Sequence, residues 1–155
     1  MPVKRRRIEI RWRDLDAVGH VNNAVFLTYL EECRDAWVQE FLGTPGELYD
    51  YLLARVAIDY RSQITLDDVF VEIETDLARI GRSSATLGER IYAGPERRLA
   101  AEAESVIVSY DSAAGASRPI DAAIASSLAA STAETPAHAP SAAASGESPS
   151  ARPSA

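Results

Sequence analysis

Residues 14–41 decide the fold of this chain, and they read DLDAVGHVNNAVFLTYLEECRDAWVQEF. Large apolar side chains recur there at intervals of three and four, which is typical of one face of an amphipathic helix: Phe26, Tyr29, Leu30, Cys33, Trp37 and Phe41. The charged residues of the segment fall off this face: Glu31, Glu32, Arg34, Asp35 and Glu40. We therefore predict one long helix, with Asn22 or Asn23 as its N-cap.

The segment before the helix combines a strand pattern with an unusually polar loop. Ile8, Ile10 and Trp12 alternate with charged residues, which predicts a half-buried strand. Residues 14–23 then contain two aspartates, a histidine, a glycine and two adjacent asparagines. This loop runs from a strand end to a helix N-terminus, where free backbone N–H groups and the helix dipole favour negative charge. The loop therefore predicts a site that stabilises an oxyanion.

The chain after the helix has the alternation of β-strands. Four strands are predicted, over residues 56–64, 69–77, 83–92 and 99–110, with a short helical turn before them at residues 47–53. Turns at Gly81 and at Gly94-Pro95 are short enough to require antiparallel neighbours, so we predict a meander. One helix against one antiparallel sheet is an α+β domain, and its free strand edges favour pairing with a second copy.

Composition limits both the organisation of the chain and its partners. The 155 residues suffice for one domain, which we place at residues 1–128. Residues 129–155 are nearly all Ala, Ser, Pro, Thr and Glu, so this tail is predicted to be disordered. The net charge of −7 and the scattered basic residues argue against binding of nucleic acid. The single cysteine, Cys33, excludes an internal disulfide and is expected to be a small core residue.

The sequence contains neither a targeting signal nor a convincing set of metal ligands. The sequence shows no signal peptide, lipidation motif or apolar run long enough to cross a bilayer, so a cytoplasmic protein without a membrane span is expected. Asp14, Asp16 and His20 make a weak metal set, because no further His or Cys pair completes a ligand shell. We therefore predict no metal and no cofactor.

The loop and helix resemble the hotdog-fold thioesterases, specifically the branch that contains 4-hydroxybenzoyl-CoA thioesterase and the short-chain acyl-CoA thioesterases of bacteria. The resemblance rests on residues 11–16, 19–23 and 29–34, and it extends weakly to about residue 125. Residues 12–23 are also similar to plant acyl-carrier-protein thioesterases. The resemblance implies an antiparallel sheet wrapped around one long central helix. It further implies a homodimer or homotetramer whose active sites lie at the subunit interface.

The same resemblance implies roles for individual residues. Asp16 maps onto the catalytic carboxylate, and the neighbourhood of Asn23 maps onto the backbone amides that hold the thioester oxygen. His20 is assigned to the catalytic group as well, and three residues are assigned to substrate binding: Gly19, Asn22 and Phe26. Val18 stands where the plant enzymes have an asparagine, so a mechanism that uses that side chain does not transfer. Residues 81–84 fall in a region from which such proteins often contribute a polar group of the partner subunit.

The chemistry of the loop agrees with this assignment. Thioester hydrolysis needs a group that attacks the carbonyl carbon or activates water, which Asp16 can be, and donors for the oxyanion, which a helix N-terminus provides. The predicted reaction is the hydrolysis of an acyl-CoA to free acid and CoA. An acyl-carrier-protein substrate and a non-catalytic module that binds acyl thioesters are the alternatives.

Plainer roles stay open for several of these side chains. Asp16 could cap a loop turn, and His20 could bond to the backbone. Four arginines could contact CoA phosphates or only solvate the surface: Arg79, Arg82, Arg97 and Arg98.

Overall fold

A computed structural model describes residues 2–43 and 50–132 of the chain, in which a curled antiparallel sheet covers a long helix. Its elements follow in this order: β1 (Val3–Glu9), α1 (Asn23–Phe41), β2 (Tyr51–Tyr60), β3 (Phe70–Ile80), β4 (Ser84–Ala93), β5 (Arg98–Asp111), β6 (Ala116–Ser117) and α2 (Ala122–Thr132). Two 3₁₀ turns, Trp12–Asp14 and Leu66–Asp68, follow β1 and β2. This is the α+β hotdog architecture that the sequence predicted.

The strand order differs from a simple meander. Neighbouring strands lie in the order β1-β3-β4-β5-β2, and the short β6 pairs with the end of β5. Only β3, β4 and β5 follow one another as predicted, whereas β2 pairs with the far side of β5, from Tyr51 opposite Ser109 to Tyr60 opposite Ala101. The prediction of a four-strand meander was therefore wrong for β2. Residues 61–69, which join β2 to β3, include a 3₁₀ turn and are not a tight hairpin, so these strands need not be neighbours.

Helix α1 divides the core into two apolar clusters on the concave face of the sheet. The first cluster surrounds Tyr29 and Leu30 and lies beside the N-terminal half of α1. The second surrounds Trp37 and is closed by Leu128 of α2. The helix stripe predicted from the sequence is confirmed, since five of its members are at most 3 % exposed: Phe26, Tyr29, Leu30, Cys33 and Trp37.

Several local predictions need correction. Trp12 lies in the 3₁₀ turn and is 81 % exposed, because the Asp14 carboxylate accepts the Arg11 N–H and closes that turn just after β1 ends. Tyr51–Leu53 begin β2 rather than a helical turn, while residues 47–49 lie outside the described residues. Arg34 is buried rather than facing solvent, because it pairs with Glu89.

The C-terminal part adds a short helix. Helix α2 continues to Thr132, past the boundary predicted after residue 128, because Ile124 and Leu128 pack on the second apolar cluster. The remainder of the predicted tail, residues 133–155, lies outside the described residues. Neither of the two helices in residues 2–43 and 50–132 has the length and apolar character needed to cross a bilayer.

Candidate active site

The loop between β1 and α1 folds back on the side chain of Asp16. Oδ1 of Asp16 accepts the backbone N–H groups of Val18 at 2.9 Å and His20 at 3.2 Å. The Asp16 N–H donates to the His20 carbonyl at 2.7 Å, and the Gly19 N–H donates to the Asp16 carbonyl at 3.1 Å. Gly19 has φ +81°, a left-handed conformation that glycine adopts without steric cost. Asp16 therefore caps the loop turn through Oδ1, whereas its Oδ2 makes no hydrogen bond to any described residue.

The loop is held against the segment that follows β2. Leu15 and Val21 form an antiparallel bridge within the loop, and His20 forms a second bridge with Thr65. The Val21 N–H donates to the Ile64 carbonyl at 2.8 Å. These backbone contacts bring the C-terminal end of β2 beside Asp16, although the two are far apart in the sequence.

The first residue of α1 has a backbone amide that is free among the described residues. Asn22 is the N-cap, as predicted, and its Oδ1 accepts the Ala24 N–H at 2.9 Å. The Asn22 carbonyl accepts the Val25 N–H at 2.9 Å. Asn23 is the first residue of the helix, and its N–H has no acceptor among the described residues. Such an amide is a ready donor to an anion.

A cavity of about 370 Å³ opens beside this loop and helix start. Four of the predicted site residues line it: Asp16, His20, Asn23 and Phe26. Gly19 and Asn22 do not line it. Gly19 adopts the left-handed conformation of the loop turn, and Asn22 caps the N-terminus of α1. The half-buried His20 imidazole makes no hydrogen bond to residues 2–43 or 50–132. These described ranges also contain no cluster of three His, Cys, Asp or Glu that could hold a metal ion.

Sequence reasoning missed the wall of the cavity that comes from the end of β2. This wall consists of Tyr60, Arg61, Ser62 and Gln63. The Tyr60 ring meets the Phe26 ring edge to face, with centroids 5.1 Å apart and planes at 79°. The Tyr60 hydroxyl donates to the Asn23 carbonyl at 3.1 Å, which joins β2 to the start of α1. The strand predicted over residues 56–64 contained all four residues, and nothing in the sequence indicated that its end lies beside the start of α1.

Comparison with known families shows to which family the chain belongs. Residues 10–128 match the family model described as the Thioesterase-like superfamily. The chain belongs to this superfamily. It is a hotdog-fold thioester hydrolase, as the loop motif predicted.

Individual relatives agree with this membership. The long-chain acyl-CoA thioesterase FadM of Escherichia coli is 29 % identical over 108 residues, which cover 68 % of this chain and 81 % of FadM. A thioesterase of Thermus thermophilus, solved in complex with coenzyme A and Zn, is 36 % identical, with TM-score 0.70 over 79 % of this chain and 94 % of that one. The DHNA-CoA thioesterase of Staphylococcus aureus has TM-score 0.76 over 86 % of this chain and 95 % of its own, and at 14 % identity it supports the fold alone.

The other aspartate of the loop between β1 and α1, Asp14, is held by hydrogen bonds. It is 4 % exposed, and its Oδ2 accepts the Tyr29 hydroxyl at 2.7 Å, the Arg11 N–H at 3.0 Å and the Arg11 Nε at 3.1 Å. Burial alone would raise the pKa of Asp14, but the hydrogen bonds from Arg11 and Tyr29 outweigh it and hold the pKa below its usual value. Burial, and then the bond to Asp14, raises the pKa of the Tyr29 hydroxyl.

The four arginines considered for CoA contact divide into two pairs. Arg97 and Arg98 are engaged within the thioesterase domain, Arg97 with Glu72 and Glu74 and Arg98 with both oxygens of Asp68. Arg79 and Arg82 have no carboxylate within 4.0 Å among the described residues. Arg79 lies near the end of β3 and Arg82 in the turn between β3 and β4, about one strand length, roughly 30 Å, from the end of β3 that lies near the Asp16 loop. In their own subunit they are therefore remote from the cavity.

Proposed function

We propose that this chain hydrolyses acyl-CoA thioesters to free acid and CoA in the cavity beside Asp16. One observation carries the proposal: Asp16 and Asn23 line the same cavity. Asp16 supplies a carboxylate with one free oxygen, and Asn23 supplies the free amide of a helix N-terminus. The choice of CoA is supported by FadM, which is named a long-chain acyl-CoA thioesterase, and by the Thermus thioesterase, which was solved with coenzyme A.

The carboxylate of Asp16 acts on the thioester carbonyl carbon through Oδ2. Two N–H groups hold Oδ1 in place, so the second oxygen is presented in a fixed orientation. In the nucleophilic route Oδ2 bonds to the carbonyl carbon, the C–S bond breaks, CoA leaves as thiolate, and water hydrolyses the resulting anhydride. In the general-base route Oδ2 takes a proton from water as the water oxygen bonds to that carbon, and the CoA thiolate then departs.

Both routes pass through an oxyanion, which the start of α1 stabilises. The Asn22 side chain is occupied by the Ala24 N–H, and the Asn23 N–H is left to donate to the thioester oxygen. A donor of this kind is typically worth about 3 kcal/mol in the transition state. The His20 imidazole orients the substrate, and the Phe26 and Tyr60 rings form the apolar wall beside it. Gly19 and Asn22 contribute through the shape of the loop.

A thiol-release assay tests the proposal. Acyl-CoAs of graded chain length, aromatic acyl-CoAs and acyl-carrier-protein thioesters form the substrate panel. Asp16→Asn should lower kcat by about 10²–10⁴-fold, the usual contribution of a positioned base. Asp67→Asn is the matched control, because Asp67 is an exposed aspartate that does not line the cavity. Undiminished turnover by Asp16→Asn, or no turnover of any thioester by the unmodified protein, would rule the proposal out.

Isotope labelling separates the two routes. A single turnover in H₂¹⁸O, with enzyme in excess, places ¹⁸O only in the acid product if Asp16 activates water. If Asp16 is the nucleophile, label enters the Asp16 carboxylate when water attacks the aspartyl carbonyl of the anhydride, so label at Asp16 identifies the nucleophilic route. Mass spectrometry of the peptide that contains residue 16 reads the difference, and Asp67 in its own peptide is the internal control.

The enzyme is proposed to act as a homodimer joined along β2. Among the described residues this strand pairs only with β5, so none of them pairs with its other edge, and it exposes Leu52 and Leu53 by 48 % and 49 %. An open apolar edge favours pairing with an identical strand about a two-fold axis. Such pairing brings the Tyr51 end of one β2 beside the Tyr60 end of its partner. Because Ser83 bonds to Ser109 next to that Tyr51 end, the β3–β4 turn of one subunit would approach the cavity of the other.

Sedimentation velocity tests the dimer. Leu53→Lys should shift the protein to monomer and lower its turnover, since a charge at the paired edge opposes association. Glu9→Lys on the opposite edge strand, β1, is the control and should leave the sedimentation coefficient unchanged. A dimer that survives Leu53→Lys would place the interface elsewhere.

A further inference from the structure

A buried hydroxyl links the long helix to the loop that carries Asp16. Tyr29 is fully buried on α1, and its hydroxyl donates to Oδ2 of Asp14 at 2.7 Å. No other hydrogen bond of this hydroxyl is formed within the described residues. A buried hydroxyl without an acceptor is strongly disfavoured, so Asp14 is held at a fixed position relative to the helix.

Asp14 in turn connects to both halves of the proposed active site. Its carbonyl accepts the Asn22 N–H at 2.9 Å, immediately before the free amide of Asn23. Asp16 follows two residues after Asp14 in the same loop. The path from Tyr29 therefore runs to Asn23 along residues 23–29 of α1, and to Asp16 through Asp14 and Leu15.

We infer that Tyr29 is a positioning residue for thioester hydrolysis, and this inference rests on the proposed function. Its hydrogen bond to Asp14 sets the separation between the attacking carboxylate of Asp16 and the oxyanion donor of Asn23. Tyr29 is not on the cavity wall and makes no contact with substrate. Loss of the bond lets the loop shift, and displacements of about 1 Å between reacting groups are enough to slow a reaction many-fold.

Tyr29→Phe, which removes only the hydroxyl, tests the inference against Ser105→Ala. Ser105 is a fully buried serine on β5 whose hydroxyl donates to the buried carboxylate of Glu89, and it does not line the cavity. Both variants lose one hydrogen bond from a buried hydroxyl to a buried carboxylate, so the melting temperatures of both should fall. Only Tyr29→Phe should lower kcat, by about tenfold, with KM for the same acyl-CoA nearly unchanged. Equal kcat values for the two variants would overturn the inference.

Amide hydrogen exchange gives a readout that does not depend on turnover. Tyr29→Phe should accelerate exchange at the amides of Val18, His20 and Asn22, all of which are bonded within the loop, whereas Ser105→Ala should not. Failure of the proposed function would appear separately, as full activity of Asp16→Asn. Unchanged loop exchange in Tyr29→Phe would overturn the positioning role whatever the reaction proves to be.

Discussion

Two buried carboxylates of this protein, Asp14 and Glu89, have similar partners and opposite electrostatics. Asp14 is 4 % exposed and Glu89 is 1 % exposed, and each is bonded to an arginine and to a hydroxyl group. The pKa of Asp14 lies below its usual value, whereas the pKa of Glu89 is raised. The difference shows that pairing with arginine does not by itself decide which charge state a buried carboxylate prefers.

The surroundings of the two groups explain the difference. Asp14 lies at the edge of the core, where a backbone N–H adds to its donors and the side chain of Arg11 is 42 % exposed. Glu89 lies between α1 and the sheet, bonded to Arg34 at 3.2 and 3.3 Å and to the Ser105 hydroxyl. Burial is the dominant effect on Glu89, and the charge and hydrogen bonds of its partners do not fully compensate it.

The two carboxylates also have different structural roles, because they lie in different parts of the fold. Asp14 fixes the loop that carries the proposed active site. Glu89 and Arg34 form a polar band between the two apolar clusters: along β4 it separates Ile91 from Leu87, and along α1 it separates Cys33 from Trp37. One carboxylate thus orders a loop, and the other interrupts a hydrophobic core.

The largest expected effect comes from breaking the polar band on one side. Arg34→Met leaves Glu89 buried without its cation and should lower the free energy of unfolding by about 3–5 kcal/mol. The double variant Arg34→Met/Glu89→Leu removes both charges and should recover most of that loss. Urea denaturation of the three proteins measures the difference. A double variant as unstable as Arg34→Met would mean that the band contributes packing that apolar residues cannot replace.

Local sequence patterns were enough for much of the fold and for half of the cavity. The helix stripe, the N-cap and the loop motif all lie within residues 14–41, so contacts between near neighbours determined them. Asp16 and Asn23 could be placed together because a short loop ending at a helix N-terminus leaves few arrangements. Tyr60 joins them only through the strand order, which depends on β2 crossing to β5 and has no local signal.

Arg34 could have been placed correctly by a stricter application of helical spacing. It lies four residues after Leu30 and three before Trp37, which is a position on the apolar stripe rather than beside it. Glu89 likewise alternates with Leu87 and Ile91 on the inward face of β4. A charged residue at an inward position of each element predicts a buried ion pair. The pair was missed because charge was taken as sufficient evidence for exposure.

The opposite pKa shifts of Asp14 and Glu89 predict a smaller effect on the free energy of unfolding. As pH rises, the contribution of Asp14 to stability increases and that of Glu89 decreases. The pKa of Asp14 is lower in the folded chain, so its contribution to stability is present above about pH 4 and is lost as pH falls through the folded value. The pKa of Glu89 is higher in the folded chain, so its contribution is present below about pH 4 and is lost as pH rises through the folded value.

Denaturation curves between pH 2 and 8, roughly the range over which carboxyl groups titrate, test both signs. The free energy of unfolding of Asp14→Asn should approach that of the unmodified protein as pH falls below about 4. The deficit of Glu89→Gln in the same quantity should shrink as pH rises above about 4. Parallel curves for the unmodified protein and either variant would contradict the shift assigned to that carboxylate.

The smallest effect concerns the residue opposite Glu89 in the sheet. Thr75 on β3 pairs with Glu89 and is fully buried, and its Oγ1 has no hydrogen-bond partner in the described part of the chain. Thr75→Val keeps the shape of the side chain and removes a hydroxyl that was taken from water without compensation, so it should raise the free energy of unfolding by about 1 kcal/mol. Thr86→Val, on the outer face of β4, is the control and should change stability little. Loss of stability in Thr75→Val would show that the hydroxyl is bonded after all, to an internal water between the helix and the sheet, and that the polar band beside Glu89 is hydrated.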